Sequence, residues 1–233
     1  MAGGSTHDEK VTGAGLGQAL LDGRTGFTGG WDRPVPRSRY FWVLLLQYAV
    51  WLACYLGINA LTAGRSVATP IFPFERRIPL CPWAYPAYAS VYFTVVLPLF
   101  LCASRRSFAR VQVAVTVASL IAFALFLLAP MPYPRPTLGG GVMEGLLALE
   151  YQIDQPRCTF PSLHVAIAWL LYLGLRDDAP SWRTPLLLLA LGVAVSTLLV
   201  KQHFLVDVLA GWLLAELAWR LAPAAGRRVL GVG

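Results

Sequence analysis

From residue 41 to residue 222, long apolar runs alternate with short breaks that carry proline, arginine and small polar residues. A membrane-spanning helix needs about 20 mostly apolar residues. Six runs meet or approach that length: 41–62, 84–103, 111–130, 162–175, 185–200 and 203–222. The fourth is short, and the second contains Pro86 and Pro98, which predict kinks. The pattern predicts an all-α polytopic membrane protein, a bundle of six transmembrane helices over residues 40–222. Residues 1–39 are rich in Gly, Ser, Thr and charge and lack the apolar core of a cleavable signal peptide, so a disordered tail is expected there. Within it, 31–40 leads into the bilayer with aromatic and basic anchors. Residues 223–233 form a second tail. Break 63–83 has four prolines among aromatics and predicts a short helix along the interface. Break 131–161 is long and polar for this chain, and loops beyond about 12–15 residues are often functional.

Composition sharpens this reading. Hydrophobic residues make up 57% and charged residues 13%, against about 25% charged in soluble domains; a water-soluble globule is excluded. The formal charge is +7, from 19 Lys+Arg against 12 Asp+Glu. The basic residues lie between apolar runs, which is a membrane pattern and not that of a nucleic-acid binder. Threading six spans with the N-terminus inside leaves Arg65, Arg76, Arg77, Arg135, Arg157 and Lys201 outside and all other basic residues inside. This predicts both termini in the cytoplasm. The Ala, Leu and Arg usage suggests a bacterial inner membrane. Cys54, Cys81, Cys102 and Cys158 show no metal-binding spacing; Cys81 and Cys158 fall in breaks on the same side, where a disulfide is one option.

Candidate chemistry gathers at the outer ends of the helices. Of three histidines, His7 lies in the tail, while His164 and His203 fall at one membrane level on different spans. In Phe160-Pro161-Ser162-Leu163-His164, Pro161 disfavours helix before it and Ser162 is a good N-cap. His164 then lies in the first turn, where free backbone N–H groups favour a phosphate. A plain cap with a snorkelling histidine is the alternative. His203 and Asp207 are four apart, predicting one shared helix face. A carboxylate inside an apolar run faces a polar partner or cavity. Bonded to one imidazole nitrogen, it leaves the other as nucleophile or base; a purely structural pair is again the alternative.

Arg135, Arg157 and Lys201 can each bind a phosphate or anchor to headgroups. Arg135, stiffened by Pro134 and Pro136, is the strongest candidate. Glu144, Glu150 and Asp154 read as solvated loop charges, and Trp83 and Tyr85 as part of an aromatic belt. His203, Asp207 and His164 could ligate zinc, but their cationic neighbours point to an anion, so no metal is expected.

At these residues the sequence resembles the type 2 phosphatidic acid phosphatase superfamily of membrane lipid phosphatases and phosphotransferases. That family carries K-x6-R-P, P-S-G-H and S-R-x5-H-x3-D motifs. Arg135-Pro136 matches the end of the first. Pro161-Ser162-Leu163-His164 matches the second with Leu163 for Gly, and Ser196, His203 and Asp207 match the third. The resemblance covers about residues 84–215. Two family cations are replaced, by Leu128 and Thr197. The F-P-S-L-H and K-Q-H-F-L-V-D wording looks closer to the inositol phosphorylceramide synthase branch, and a diester with one charge needs fewer cations than a monoester with about two.

The resemblance implies an active site at the non-cytoplasmic face. It makes His203 the nucleophile, Asp207 its orienting group and His164 the general acid and base. It assigns Arg135, Ser162, Lys201 and Arg157 to the phosphoryl oxygens. Membrane lipids are the implied partners, with water or an alcohol as acceptor, and no cofactor is implied. A non-catalytic headgroup binder or transporter of the same fold is the competing reading; a small channel would need a repeated polar face that the spans lack.

Overall fold

The structure, a computed structural model, describes residues 30–68 and 71–230. The tail expected over 1–39 therefore lies mainly outside the described residues. The elements are α1 (Arg37–Leu61), α2 (Tyr85–Thr94), α3 (Pro98–Leu101), α4 (Arg105–Leu128), α5 (Val142–Ile153), α6 (Leu163–Leu175), α7 (Arg183–Leu199) and α8 (Leu205–Leu230). Short 3-10 turns occupy Pro73–Arg77, Pro82–Ala84 and Pro180–Trp182. Among the described residues, β-structure is confined to one bridge between Met131 and Cys158. Among the described residues, three helical stretches are long and apolar enough to cross a membrane: Arg37–Leu61, Arg105–Leu128 and Pro180–Leu199. The molecule is a helical membrane protein.

Several boundaries differ from the pattern reading. The second run breaks where Pro98 lacks an N–H, into α2 and α3. The interfacial segment 63–83 holds two 3-10 turns, because its prolines interrupt any longer helix. Residues 37–39 open α1, and α8 continues past 222 to Leu230. Break 131–161 contains α5, an amphipathic helix with Leu147 and Glu150 turned inward and Val142, Leu149 and Ile153 exposed. All four cysteines are free thiols.

The breaks alternate between two ends of the bundle. At one end, Arg105 and Arg106 donate backbone N–H groups to Arg33 and Trp31 carbonyls (3.0 and 2.9 Å), and Ala103 N–H reaches the Asp178 carboxylate (2.8 Å). At the other, Cys81 N–H bonds Leu199 O (2.9 Å) and Val67 N–H bonds Pro130 O (2.8 Å). Between the ends, α4 and α8 approach along small residues. Ala114, Ala118 and Ala122 on α4 share a buried cluster with Ala215, Ala218 and Ala222 on α8. Lipid supplies little hydrophobic drive between helices, so close backbone approach and dispersion hold such pairs. A second cluster joins Phe108 and Val111 of α4 to Leu171 and Leu175 of α6 and to Leu186, Ala190 and Val193 of α7. By contrast α1 buries only Ile58 and Asn59. Its loose seating leaves a cavity of about 390 Å³ between α1, α2, α4 and α6.

Candidate active site

The site is built where α6 and α8 begin. Ser162 caps α6 as expected, its hydroxyl accepting from Val165 N–H at 3.4 Å. Its own N–H donates to Asp207 O at 3.0 Å, which ties the two helix starts together. Gly211 permits this contact, since a Cβ there would run into the Ser162 carbonyl oxygen. The Phe160–Pro161 peptide preceding the cap is cis.

His203 does not share a helix face with Asp207. The chain reverses at Lys201, which takes a left-handed φ of 55°, and α8 starts only at Leu205. His203 therefore precedes the helix, and its N–H donates to Thr197 O (3.2 Å). Asp207, in the first turn, folds back over the helix start. Its Oδ2 accepts from Phe204 N–H at 2.9 Å and lies 3.5 Å from His203 Nδ1. Both side chains are buried, at 5% and 0% exposure. The separation exceeds a normal hydrogen bond, and Nδ1 and Asp207 Oδ1 have no closer partner. Catalytic contacts in unliganded sites are often this loose and tighten with substrate. The pair predicted from spacing is thus present, held by a turn instead of a helix face.

His164 occupies the first turn of α6. Its ring lies 5.8 Å from that of His203, centroid to centroid. Both histidines line the cavity, together with Glu150 and Asp154. Away from this polar end the cavity walls are mainly apolar, among them Leu52, Leu56, Val91, Val115, Phe126 and Leu171.

The four expected phosphate ligands fare differently. Arg135 stacks over Tyr151 (4.1 Å) and donates from one terminal nitrogen to Asp154 O (2.9 Å). Its Nε and its other terminal nitrogen are buried without a partner. Ser162 is at the helix junction just described. Arg157 instead reaches Asn59 O on α1 at 3.3 Å. Lys201 turns to Ile78 O at 2.6 Å, towards the interfacial segment. Burial lowers the Lys201 pKa and the nearby Glu75 carboxylate raises it, with burial the larger effect. At the two positions where family cations are replaced, Leu128 is exposed on α4 and Thr197 is buried and bonded to Ala194 O. Among the described residues, no group of three His, Cys, Asp or Glu side chains could hold a metal ion.

Three acidic residues acquire roles that the pattern did not show. Glu150 is 6% exposed, and the reading of it as a solvated loop charge is corrected. Its carboxylate accepts from Tyr85 (3.2 Å), Tyr92 (2.7 Å) and, at the limit, Tyr88 (3.5 Å). Asp154 accepts from Tyr55 and Tyr88, the latter at 3.4 Å. Burial pushes both carboxyls above their ordinary pKa, partly offset by these hydroxyls. Glu75, from the interfacial segment, is buried and accepts from Leu205 N–H (2.5 Å) and Phe72 N–H (2.6 Å), capping the start of α8. The missed signal was the spacing of Tyr85, Tyr88 and Tyr92, which puts three hydroxyls on one face of a helix. Such hydroxyls in an apolar run need acceptors, and α5 supplies them.

No curated protein and no solved structure matches the chain. One family model does match, that of the PAP2 superfamily, over residues 74–221. The matched segment begins beside Glu75 and includes α2 to α7, most of α8, both histidines, Asp207 and the four expected phosphate ligands. It spans well over half of the sequence and supports a function of the lipid phosphatase or phosphotransferase type. The chain belongs to the PAP2 superfamily.

Proposed function

We propose that this protein is an integral-membrane phosphotransferase or phosphatase that acts on a lipid through a phosphohistidine at His203. One observation carries the reading: His203 and His164 meet at the polar end of a cavity whose other walls are apolar. A lipid fits that polarity, with its chain along the walls and its phosphate between the histidines.

The reaction divides into two displacements. The Nε2 lone pair of His203 attacks phosphorus, and the bond from phosphorus to the leaving oxygen breaks. His164 gives that oxygen its proton. An acceptor hydroxyl then passes its proton to His164 and attacks the same phosphorus, and the N–P bond breaks to restore His203. Asp207 faces Nδ1 and stabilises the phosphoimidazolium that the first step creates and the second consumes. Arg135 offers its unpartnered N–H groups to the phosphoryl oxygens, beside the α6 N-terminus at Ser162. Phosphoryl transfer depends mostly on positioning and charge stabilisation, which such a set supplies.

The thin cation set favours transfer of a phospho-headgroup over hydrolysis of a monoester. Leu128 and Thr197 add no charge, while Lys201 and Arg157 bond backbone carbonyls. One guanidinium suits a diester with a single charge better than a monoester with about two. This agrees with the resemblance to the inositol phosphorylceramide synthase branch. The reaction is assigned to the outer face of a six-span bundle, periplasmic in a bacterium, with both termini cytoplasmic.

The test is a product assay on purified protein in lipid. Phosphatidic acid is offered as monoester, and a phosphoinositol diester with ceramide or diacylglycerol acceptor as the transfer pair. Headgroup appearing on the acceptor is expected, and His203→Ala should abolish it. Free phosphate from the monoester alone would establish a phosphatase. Equal binding of lipid by wild type and His203→Ala, with no product from either, would favour a headgroup-binding protein.

A further inference from the structure

Behind His164 lies a hydrogen-bonded chain that the two displacements do not use. Tyr92 Oη is 2.9 Å from His164 Nε2 and 2.7 Å from Glu150 Oε1. Three elements meet there: α2 supplies the tyrosine, α5 the carboxylate and α6 the histidine. A tyrosine has one proton and a carboxylate can only accept. The Tyr92 proton is therefore directed at Glu150, and Tyr92 Oη is left to accept from His164 Nε2–H. Nδ1 of His164 is then the nitrogen that exchanges a proton with substrate. Tyr88 fixes the ring plane, stacking on the imidazole with centroids 4.3 Å apart and 30° between planes.

We propose that Tyr92 and Glu150 are positioning residues of the reaction, forming a relay that sets the tautomer of His164 and steadies its imidazolium. The proposal rests on the reading of His203 as nucleophile and His164 as acid and base. Asp207 acts on His203 directly; Glu150 acts on His164 through one phenol. An acid at this buried position is what needs explaining. The carboxylate of Glu150 bonds tyrosine hydroxyls, and among the described residues no Lys or Arg forms an ion pair with it. A buried carboxylate without a cation is costly, and a glutamine carbonyl would still accept from Tyr92 and Tyr88, the pair on Oε1. The charge becomes useful whenever His164 is an imidazolium, before the first displacement and after the second.

The relay predicts a pattern that a scaffold role does not. The substrate is a lipid analogue with a 4-nitrophenolate leaving group, which departs without a proton. In Tyr92→Phe and Glu150→Gln the nitrophenolate burst, which reports phosphorylation of His203, should stay within a few-fold of wild type. Breakdown of the phosphohistidine needs His164 as base and should slow by about tenfold or more, so phosphoenzyme accumulates. With an ordinary alkyl leaving group the burst should fall as well. His164→Ala should give the same pattern, and adding Tyr92→Phe to it should cost nothing further, since the relay acts only through that imidazole.

Glu150→Gln keeps an acceptor for the tyrosines and should melt no lower than wild type; it carries the test if Tyr92→Phe folds poorly. A burst and a turnover reduced together in both variants, or a full additional loss on the His164→Ala background, would overturn the relay and leave a packing role. Normal kinetics in both would do the same. The underlying reading has its own control: wild-type turnover without phosphoenzyme, matched by His203→Ala, would remove the nucleophile and with it the relay.

Discussion

Asp207 does two jobs with one carboxylate, and they can be separated. Oδ2 accepts from Phe204 N–H and faces His203 Nδ1. Asparagine keeps an oxygen for the Phe204 N–H but places an amide beside the histidine and carries no charge. Asp207→Asn should therefore fold and melt near wild type while turnover falls by about 10²- to 10⁴-fold, as when a histidine loses its orienting acid. Near-normal turnover would take the pair out of the mechanism. Arg135 makes a second residue-scale case. Lysine retains the charge but lacks the planar fork that here offers two unpartnered buried groups. A charged hydrogen bond contributes about 1.5–3 kcal/mol, so Arg135→Lys should lower kcat/KM by roughly ten- to a hundred-fold. An unchanged value would assign the phosphate to other donors. Both residues were legible from the sequence because charge in an apolar run and a proline-flanked arginine are local signals. The burial of Glu150 was not, since it depends on three tyrosines some sixty residues earlier that only the folded chain brings to it.

At the scale of elements, the site depends on how closely α6 and α8 start together. The Ser162 N–H to Asp207 O bond needs a residue without Cβ at Gly211. Gly211→Ala should push the helices apart, with a loss of about 1–3 kcal/mol, as in overpacked cores, read as a lower melting temperature in lipid or detergent. Activity should fall further than stability, because the same shift moves His164 relative to His203. A melting point and turnover both at wild-type level would show that the junction has slack. Hydrophobic runs marked α1, α6 and α7 to within a few residues and the apolar parts of α4 and α8, whose polar ends at 105–110 and 223–230 they left out, since length and composition alone define such runs. Start of α6 was fixed by Ser162, a cap that acts through its own neighbours. The helix α5 was missed because its twelve residues are too few to span a bilayer, although their apolar and polar positions follow the amphipathic helical period. Its reason to be helical is tertiary: one face meets the tyrosines of α2, and the other is apolar and exposed.

Across the whole molecule, alternation of the breaks between two ends orders the bundle, and the proposed orientation, with the histidines outside, rests on the basic residues. A single cysteine introduced at Gly140, on a background without Cys54, Cys81, Cys102 and Cys158, should react with an impermeant maleimide in intact cells. Labelling only after permeabilisation would put the histidines on the cytoplasmic side. Family membership was legible from two short motifs, and the family match over 74–221 agrees with it. The motifs left the backbone route between His203 and Asp207 unspecified, because the reversal at Lys201 precedes the helix that the apolar run implied. The central proposal, that phosphorus passes through His203, is tested most directly by quenching turnover with alkali and mapping phosphate by mass spectrometry. An acid-labile, alkali-stable phosphate on the peptide containing His203 is expected, enriched in His164→Ala when the leaving group is 4-nitrophenolate and absent from an inactive His203→Ala protein. Turnover by His203→Ala at the wild-type rate, with no adduct on any peptide, would contradict it.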